Sequence, residues 1–523
     1  MIKYFRPLLV LLTGSLQTII APAQTPVLPP QLDAYINTVL KTFDVPGIGL
    51  SIVYDGKTVL AKGYGVKKMG AASPVDAHTI FPIASNSKAF TATALAILVE
   101  EGKIKWEDPV IDHLPWFRMS DPWVTSTITV RDLLVHHSGI AGYSGDILVF
   151  PPSDYTRKEI LARLKNIPLV HSFRTTYAYD NILYIAAGEI VKAASGMEWE
   201  DFIRQRILLP LNMEETTSRF SVLKEQANIS AAHSRLNGKL TIDELFTEQA
   251  MGDAGNAAGG IGSTAIDMGK WMITQLDSGL AANHNRIFKS TAVNELWKIV
   301  TPIPIPTVPE KMRPAQMDFY GYALGFRTYN YGSYKVVGHG GKLDGFVSQV
   351  VLVPKLKLGI TVLTNQESTA AYWAIIYPLL DHFMQNPPHD WLGAYKQQMD
   401  TALAKSADAR QKAMLPVSGK TNPSLSPETL AGSYKDTLYG DVSIVRKNEK
   451  MVLRFNHTSQ LEAILEHFQY DTYIARFSNK DLKADAYVSF TLSAEGKIDQ
   501  FKMKVIDPDS DISYDGLNFI KQQ

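Results

Sequence analysis

The stretch Ser85-Asn86-Ser87-Lys88-Ala89-Phe90-Thr91-Ala92-Thr93-Ala94-Leu95-Ala96 decides how the chain is read. A helix is predicted to open near Ser85 and run through Ala89 to Glu101, apolar on most faces from Ala89 to Val99 and therefore buried. A serine at a helix start and a lysine three residues on share one face, one turn apart, which suits a nucleophile beside its base. Apolar neighbours desolvate the Lys88 ammonium, and the helix N-terminus carries partial charge of the same sign. Both effects favour the neutral amine, which can take a proton from Ser85. The pattern alone is weak, because Ser221-Val222-Leu223-Lys224 repeats it, with Glu225 and Gln226 after it in place of an apolar helix. A plain N-cap is the competing reading of Ser85.

Outward from this point, Leu32 to Phe43 reads as a helix, and Gly47 to Val53 with Thr58 to Tyr64 as a hairpin turning at Asp55-Gly56. Helical patterns follow at 130–136, 157–165, 180–195 and 265–277. Strands return at 334–339, 345–353 and 357–364, and residues 369–384 read as a closing helix packed on that sheet. Strands at both ends with helices between predict an α+β fold for residues 24–385. From about 386 the texture changes to a polar helical stretch, Trp391 to Met414, and then to Pro416, Ser418, Gly419, Pro423 and Pro427. Residues 386–427 are therefore read as a linker. Beyond it, Val442–Val445, Met451–Phe455, Tyr470–Phe477, Tyr487–Leu492 and Gln500–Val505 alternate apolar and polar residues, which predicts a small antiparallel barrel or sandwich over 428–523.

Composition narrows the function. The 523 residues leave room for two to four domains at ~150 residues each. Lys plus Arg and Asp plus Glu are both 52, so no global charge draws the chain to nucleic acid or an anionic membrane. The absence of cysteine excludes disulfides, thiolate nucleophiles and cysteine-ligated metals, so covalent catalysis needs another nucleophile. Residues 1–23 carry Lys3 and Arg6, an apolar run from Pro7 to Ala21, and Ala21-Pro22-Ala23, the pattern of a cleaved secretory signal. The run is short for a membrane span, and none comparable follows. A periplasmic or secreted bacterial protein without a span after signal removal is expected.

Two further clusters can carry chemistry. In Tyr179-Asp180-Asn181, just before an apolar helical run, the tyrosine can relay a proton beside a cation and the asparagine can orient a substrate carbonyl or a lysine. A half-buried ring bonded to backbone is the plainer reading of Tyr179, and Tyr35-Ile36-Asn37 is a second copy of the spacing. In Gly338-His339-Gly340-Gly341-Lys342, after the strand Tyr334–Val337, paired glycines let a backbone amide point at a developing oxyanion. A hairpin turn explains the glycines equally well. His339 lacks a paired-histidine helix spacing, and the adjacent His136 and His137 face different directions, which speaks against zinc.

With Ser85, Tyr179 and His339 in this order, the sequence resembles the serine hydrolases built like class C β-lactamases and D-alanyl-D-alanine carboxypeptidases, in particular the CubicO group of peptidases and esterases. Val45-Pro46-Gly47, Gly63-Tyr64-Gly65, Leu133-Leu134-Val135-His136-His137-Ser138-Gly139 and Ala258-Gly259-Gly260-Ile261 with Ser263 and Asp267 add to the likeness, which covers about residues 31–385. The resemblance implies an antiparallel sheet flanked by helices, an all-helical lobe holding Tyr179, and a C-terminal lipocalin-like barrel. It implies Ser85 as acylated nucleophile, Lys88 and Tyr179 as general base and acid, and Asn181 as the residue positioning Lys88 and the acyl amide. The amides of Ser85 and Lys342 would form the oxyanion hole beside Gly340 and Gly341. His339 stands where penicillin-recognising relatives usually have lysine, which weakens the case for a β-lactam carboxylate. The expected protein is a serine hydrolase of an ester or peptide-like amide that needs no cofactor or metal, with a homo-oligomer left open. The rivals are a β-lactamase or D-alanyl-D-alanine carboxypeptidase, and a binding protein that is acylated without turnover.

Overall fold

The computed structural model describes residues 28–236, 238–244, 251–415 and 421–522. The expected signal segment 1–23 and Pro416, Ser418 and Gly419 of the expected linker lie outside the described residues.

Leu32–Phe43 is a helix whose Leu32, Ile36, Val39, Leu40 and Phe43 share a buried face, the three-and-four spacing of an amphipathic helix. The chain then forms the strands Gly47–Tyr54 and Lys57–Gly65 around Asp55 and Gly56, both at positive φ as a tight two-residue hairpin requires. Among the described residues eight strands make one sheet, in the order Lys57–Gly65, Gly47–Tyr54, Leu358–Thr364, Phe346–Val353, Tyr334–Leu343, Arg327–Tyr331, Tyr320–Tyr322 and Thr301–Pro302. Every pairing in it is antiparallel. The N-terminal helix and Thr369–Met384 cover one face, burying Ile36, Val39, Phe43, Ile375, Ile376 and Leu379 against Ile48, Leu50, Val351 and Ile360. Ala265–Leu276 packs on the other face, and the helices Ser87–Glu100 and Ile182–Ser195 lie at the centre of a helical lobe beside it.

Three details differ from the sequence reading. Residues 130–136 hold a single 3₁₀ turn, Asp132–Leu134, because His136 takes a φ of 58° that a helix cannot contain. The strand from Tyr334 continues to Leu343, so Gly340 and Gly341 sit inside the strand and the turn falls at Asp344-Gly345. Ser85 lies in a 3₁₀ turn, Ala84–Asn86, that leads into the helix proper at Ser87.

The helix Trp391–Ala413 follows, and the C-terminal strands from Gly432 to Lys521 close into a barrel, eight-stranded among the described residues. Gly432–Asp436, Glu462–Gln469 and Phe519–Lys521 join the five strands read from alternation. Tyr434, Phe455, Phe477, Phe501 and Phe519 fill the interior. The barrel docks on the first region through Tyr155 Oη donating to the Tyr439 carbonyl (2.8 Å), His457 against Asp154 (2.8 Å), Lys483 with Glu367 (3.0 Å) and Lys342 with Asp511 (2.7 Å). No helix among the described residues is long and apolar enough to cross a membrane.

Candidate active site

A cleft of about 460 Å³ opens between the sheet and the helical lobe, with Ser85, Tyr179, Asn181, His339, Gly340, Gly341 and Lys342 on its wall. The fold brings together residues that lie far apart in the chain. Ala84, at a φ of 46°, turns the backbone so that Ser85 faces the cleft. Asn86 then points away and donates to Ser348 Oγ (2.8 Å), which donates to the Ile83 carbonyl (2.8 Å) and ties the turn to the sheet.

Lys88 is fully buried one turn further on. Its Nζ lies 3.2 Å from Ser85 Oγ, 2.7 Å from Asn181 Oδ1 and 2.9 Å from the Ala258 carbonyl. Burial brings its pKa down to about 7, against the opposing pull of Asp146 and Asp180 and with the help of Arg327. A neutral amine has two hydrogens and one lone pair. With the two carbonyl oxygens taking the hydrogens, the lone pair is left for Ser85. The Ala258-Gly259-Gly260 stretch thus has a local task, carried by the short helix Asn256–Gly259.

Tyr179 sits across the cleft, its ring 4.9 Å from the Lys88 Nζ. Burial pushes its phenol well above the ordinary range, so the hydroxyl keeps its proton. His136 packs on this ring at 4.3 Å, and its Nδ1 accepts from the Asp180 amide (3.2 Å), holding the Tyr179-Asp180-Asn181 segment in place. Asn181 stands just before the helix Ile182–Ser195, with its Nδ2 donating to Asp146 Oδ2 (2.7 Å).

His339 is buried with both ring nitrogens engaged: Nδ1 donates to the Gly340 carbonyl (2.6 Å) and Nε2 accepts from Tyr322 Oη (2.8 Å). Burial holds the ring neutral. It offers no charge to a ligand. The cation in this part of the cleft is Arg327, opposite Gly338 on the neighbouring strand. Its guanidinium donates to the hydroxyls of Tyr320 (2.6 Å) and Tyr177 (3.3 Å) and has no carboxylate partner among the described residues. Sequence reasoning missed Arg327, whose one signal is a charge inside the aromatic strand Arg327-Thr328-Tyr329-Asn330-Tyr331. It also missed Asp146 and Asp511, which line the cleft from a loop and from the barrel. The Lys342 side chain reaches Asp511 at the cleft mouth. Ser221, the second serine of its pattern, is exposed and bonded to Asp253 (2.8 Å), with Lys224 in a 3₁₀ turn.

Residues 32–382 match the β-lactamase family profile. The chain belongs to the β-lactamase family. Residues 418–521 match a domain of unknown function, DUF3471, which embraces the barrel of this β-lactamase-family protein. The family member is 26% identical over 494 residues to the unguisins hydrolase ungD of Aspergillus violaceofuscus, covering 87% of this chain and 84% of the relative. It is 28% identical over 350 residues to protein flp of Staphylococcus aureus, covering 65% and 63%. The octameric penicillin-binding protein homologue from Pyrococcus abyssi shares its fold, with a TM-score of 0.58 and 21% identity over 94% of this chain and 99% of that one.

Proposed function

We propose that the chain is an exported serine hydrolase of the CubicO peptidase and esterase type, acylated on Ser85 by an ester or peptide-like amide. The observation that carries this reading is the buried Lys88 amine, 3.2 Å from Ser85 Oγ and brought down to about 7. Neutral Lys88 takes the Ser85 proton as Oγ bonds to the substrate carbonyl carbon. The backbone amides of Ser85 and Lys342 receive the oxyanion. The leaving group departs with a proton donated through Tyr179, which is replenished from the Lys88 ammonium. Water then attacks the acyl-enzyme by the same relay in reverse, releasing the acid and free Ser85. Asn181 holds Lys88 and offers its second amide hydrogen to the acyl carbonyl. The barrel borders the cleft through Asp511 and so shapes access. The expected signal segment supports a periplasmic or secreted site, and the octameric homologue supports a homo-oligomer.

A second reading, a β-lactamase or D-alanyl-D-alanine carboxypeptidase, draws support from Arg327. A desolvated guanidinium without a carboxylate partner favours substrates that bring one.

The test is a panel of p-nitrophenyl esters, D-amino-acid anilides and nitrocefin on the wild type and Ser85→Ala, with peptide mapping after a fluorophosphonate. Turnover that requires Ser85, with the adduct on it, is expected. An adduct on Ser221 would overturn the assignment. A burst equal to enzyme without steady state would point to the acylated binding protein, and preference for nitrocefin to the second reading.

A further inference from the structure

Asp146 lies in the loop after His136 and His137, and its side chain reaches Asn181 from the side opposite Lys88. Its Oδ2 accepts from Asn181 Nδ2 at 2.7 Å, and its buried Oδ1 has no hydrogen-bond partner among the described residues. A carboxylate with one bond in a desolvated place is costly to keep. The bond it makes has a chemical consequence. The Asn181 amide can present either oxygen or nitrogen to Lys88. With oxygen inward, the neutral amine spends its hydrogens on Asn181 and Ala258 and keeps its lone pair for Ser85. With nitrogen inward, Asn181 would donate to that lone pair and hide the base. An ammonium selects oxygen unaided, but a neutral amine does not. The choice is therefore unguarded in the form that must deprotonate Ser85.

We infer that Asp146 is a positioning residue that locks the Asn181 amide with its oxygen toward Lys88, so that the free amine stays available to Ser85. The inference rests on the proposed acylation at Ser85. Burial pushes the Asp146 carboxyl itself up to about 7, so its charge adds a second effect only as pH passes that value, where the anion favours the Lys88 ammonium. Lys88 also faces Asp180 and Arg327, with His136, Tyr179 and Tyr184 around it, and Asp146 itself faces Asp180 and Asp511. These groups stay in place when Asp146 is changed.

Asp146→Asn keeps an oxygen for Asn181 Nδ2 and removes the charge, whereas Asp146→Leu removes both. On the p-nitrophenyl ester that the wild type turns over best, Asp146→Leu is expected to lose about tenfold or more in kcat with little change in KM. Asp146→Asn should recover most of that loss and shift the acid limb of kcat/KM to lower pH. In an Asn181→Ala background, Asp146→Leu should cost nothing further, because there is no amide left to orient. Losses that multiply in the double variant, or an Asp146→Asn as impaired as Asp146→Leu, would overturn the inference. Should Asp146→Leu fail to fold, Asp146→Ala, which also removes both the oxygen and the charge, takes its place, and an Asp146→Ala as active as the wild type would overturn the inference as well. Ser85→Ala is the separating control. Turnover surviving in that variant defeats the acylation reading itself, while a dead Ser85→Ala beside a fully active Asp146→Leu defeats only the role of Asp146.

Discussion

Lys88 gives up its proton near pH 7 in the native protein, whereas an unfolded lysine holds it to about 10.5. If the neutral amine is the base, kcat/KM rises with pH through about 7, and activity falls away on the acid side of that value. A stability consequence follows with its own sign. Between about 7 and 10.5 the unfolded chain binds a proton that the native chain does not, so this residue's contribution to stability increases with pH across that window. At neutral pH the buried lysine costs stability on the order of several kcal/mol. Lys88→Met should therefore raise the melting temperature, with a gain that shrinks as pH climbs from 7 toward 10.5. The same variant should lose on the order of 10² or more in kcat. Thermal scans and pH–rate profiles on the same samples check both. Because Met also leaves Asn181 Oδ1 and the Ala258 carbonyl without their donor, the pH dependence is the decisive reading. A difference in melting temperature from the wild type that does not change between pH 7 and 10.5 would show that burial does not set the lysine's charge.

The strand Tyr334–Leu343 shows how an element places chemistry. A Cβ on Gly341 would lie 2.1 Å from the Ile83 carbonyl and 2.6 Å from Ser348 Oγ, the atoms that anchor the turn before Ser85. A Cβ on Gly340 would meet Gln349 Oε1 at 2.7 Å, the far end of a side chain that can swing aside. Gly341→Ala should push the turn off the strand and slow acylation at least tenfold more than Gly340→Ala does. Single-turnover labelling with a fluorophosphonate measures this. Equal effects of the two would mean that the strand does not set the turn. The two glycines were visible in the sequence, but strand and hairpin could not be told apart there. The contact that excludes a side chain comes from Ile83, across the fold. The opposite failure occurred at residues 130–136. Val130, Leu133 and Leu134 are all buried, and their three-and-four spacing imitates helical periodicity, while nothing local announces the left-handed turn at His136. The helix Leu32–Phe43 was legible because one face alone is buried. Ser85 and Lys88 were legible as a pair because they are neighbours in sequence. Arg327 and Asp146 were not, because only folding sets them beside that pair.

Across the whole molecule, the barrel reaches the cleft through Asp511. Asp511 pairs with Lys342 at the mouth, both about half exposed. An exposed pair of this kind is worth about 0–1 kcal/mol, so stability should hardly change in Asp511→Asn. Lys342, relieved of its ion-pair partner though still facing Glu367 and Asp344, should instead improve kcat/KM for a carboxylate-bearing ester over its neutral analogue by about two- to fivefold, an effect that fades with added salt. No change in that ratio at low salt would mean that the barrel does not tune the mouth. The five alternating barrel strands were readable in the sequence. Glu462–Gln469 was not, because its second half, Glu466 to Gln469, drops the alternation where the strand shifts register against Thr472–Phe477. The sheet of the first region has a further consequence, which concerns the nascent chain. Gly47–Tyr54 finds its second neighbour only in Leu358–Thr364, with Ile48 opposite Thr364. At ~5–20 residues per second, the ribosome leaves the early hairpin with a bare edge for tens of seconds before that partner emerges. Edge-to-edge association between growing chains competes throughout that interval. At a fixed elongation rate, high-level expression, with many growing chains present at once, should therefore yield more aggregate than low-level expression of the same sequence.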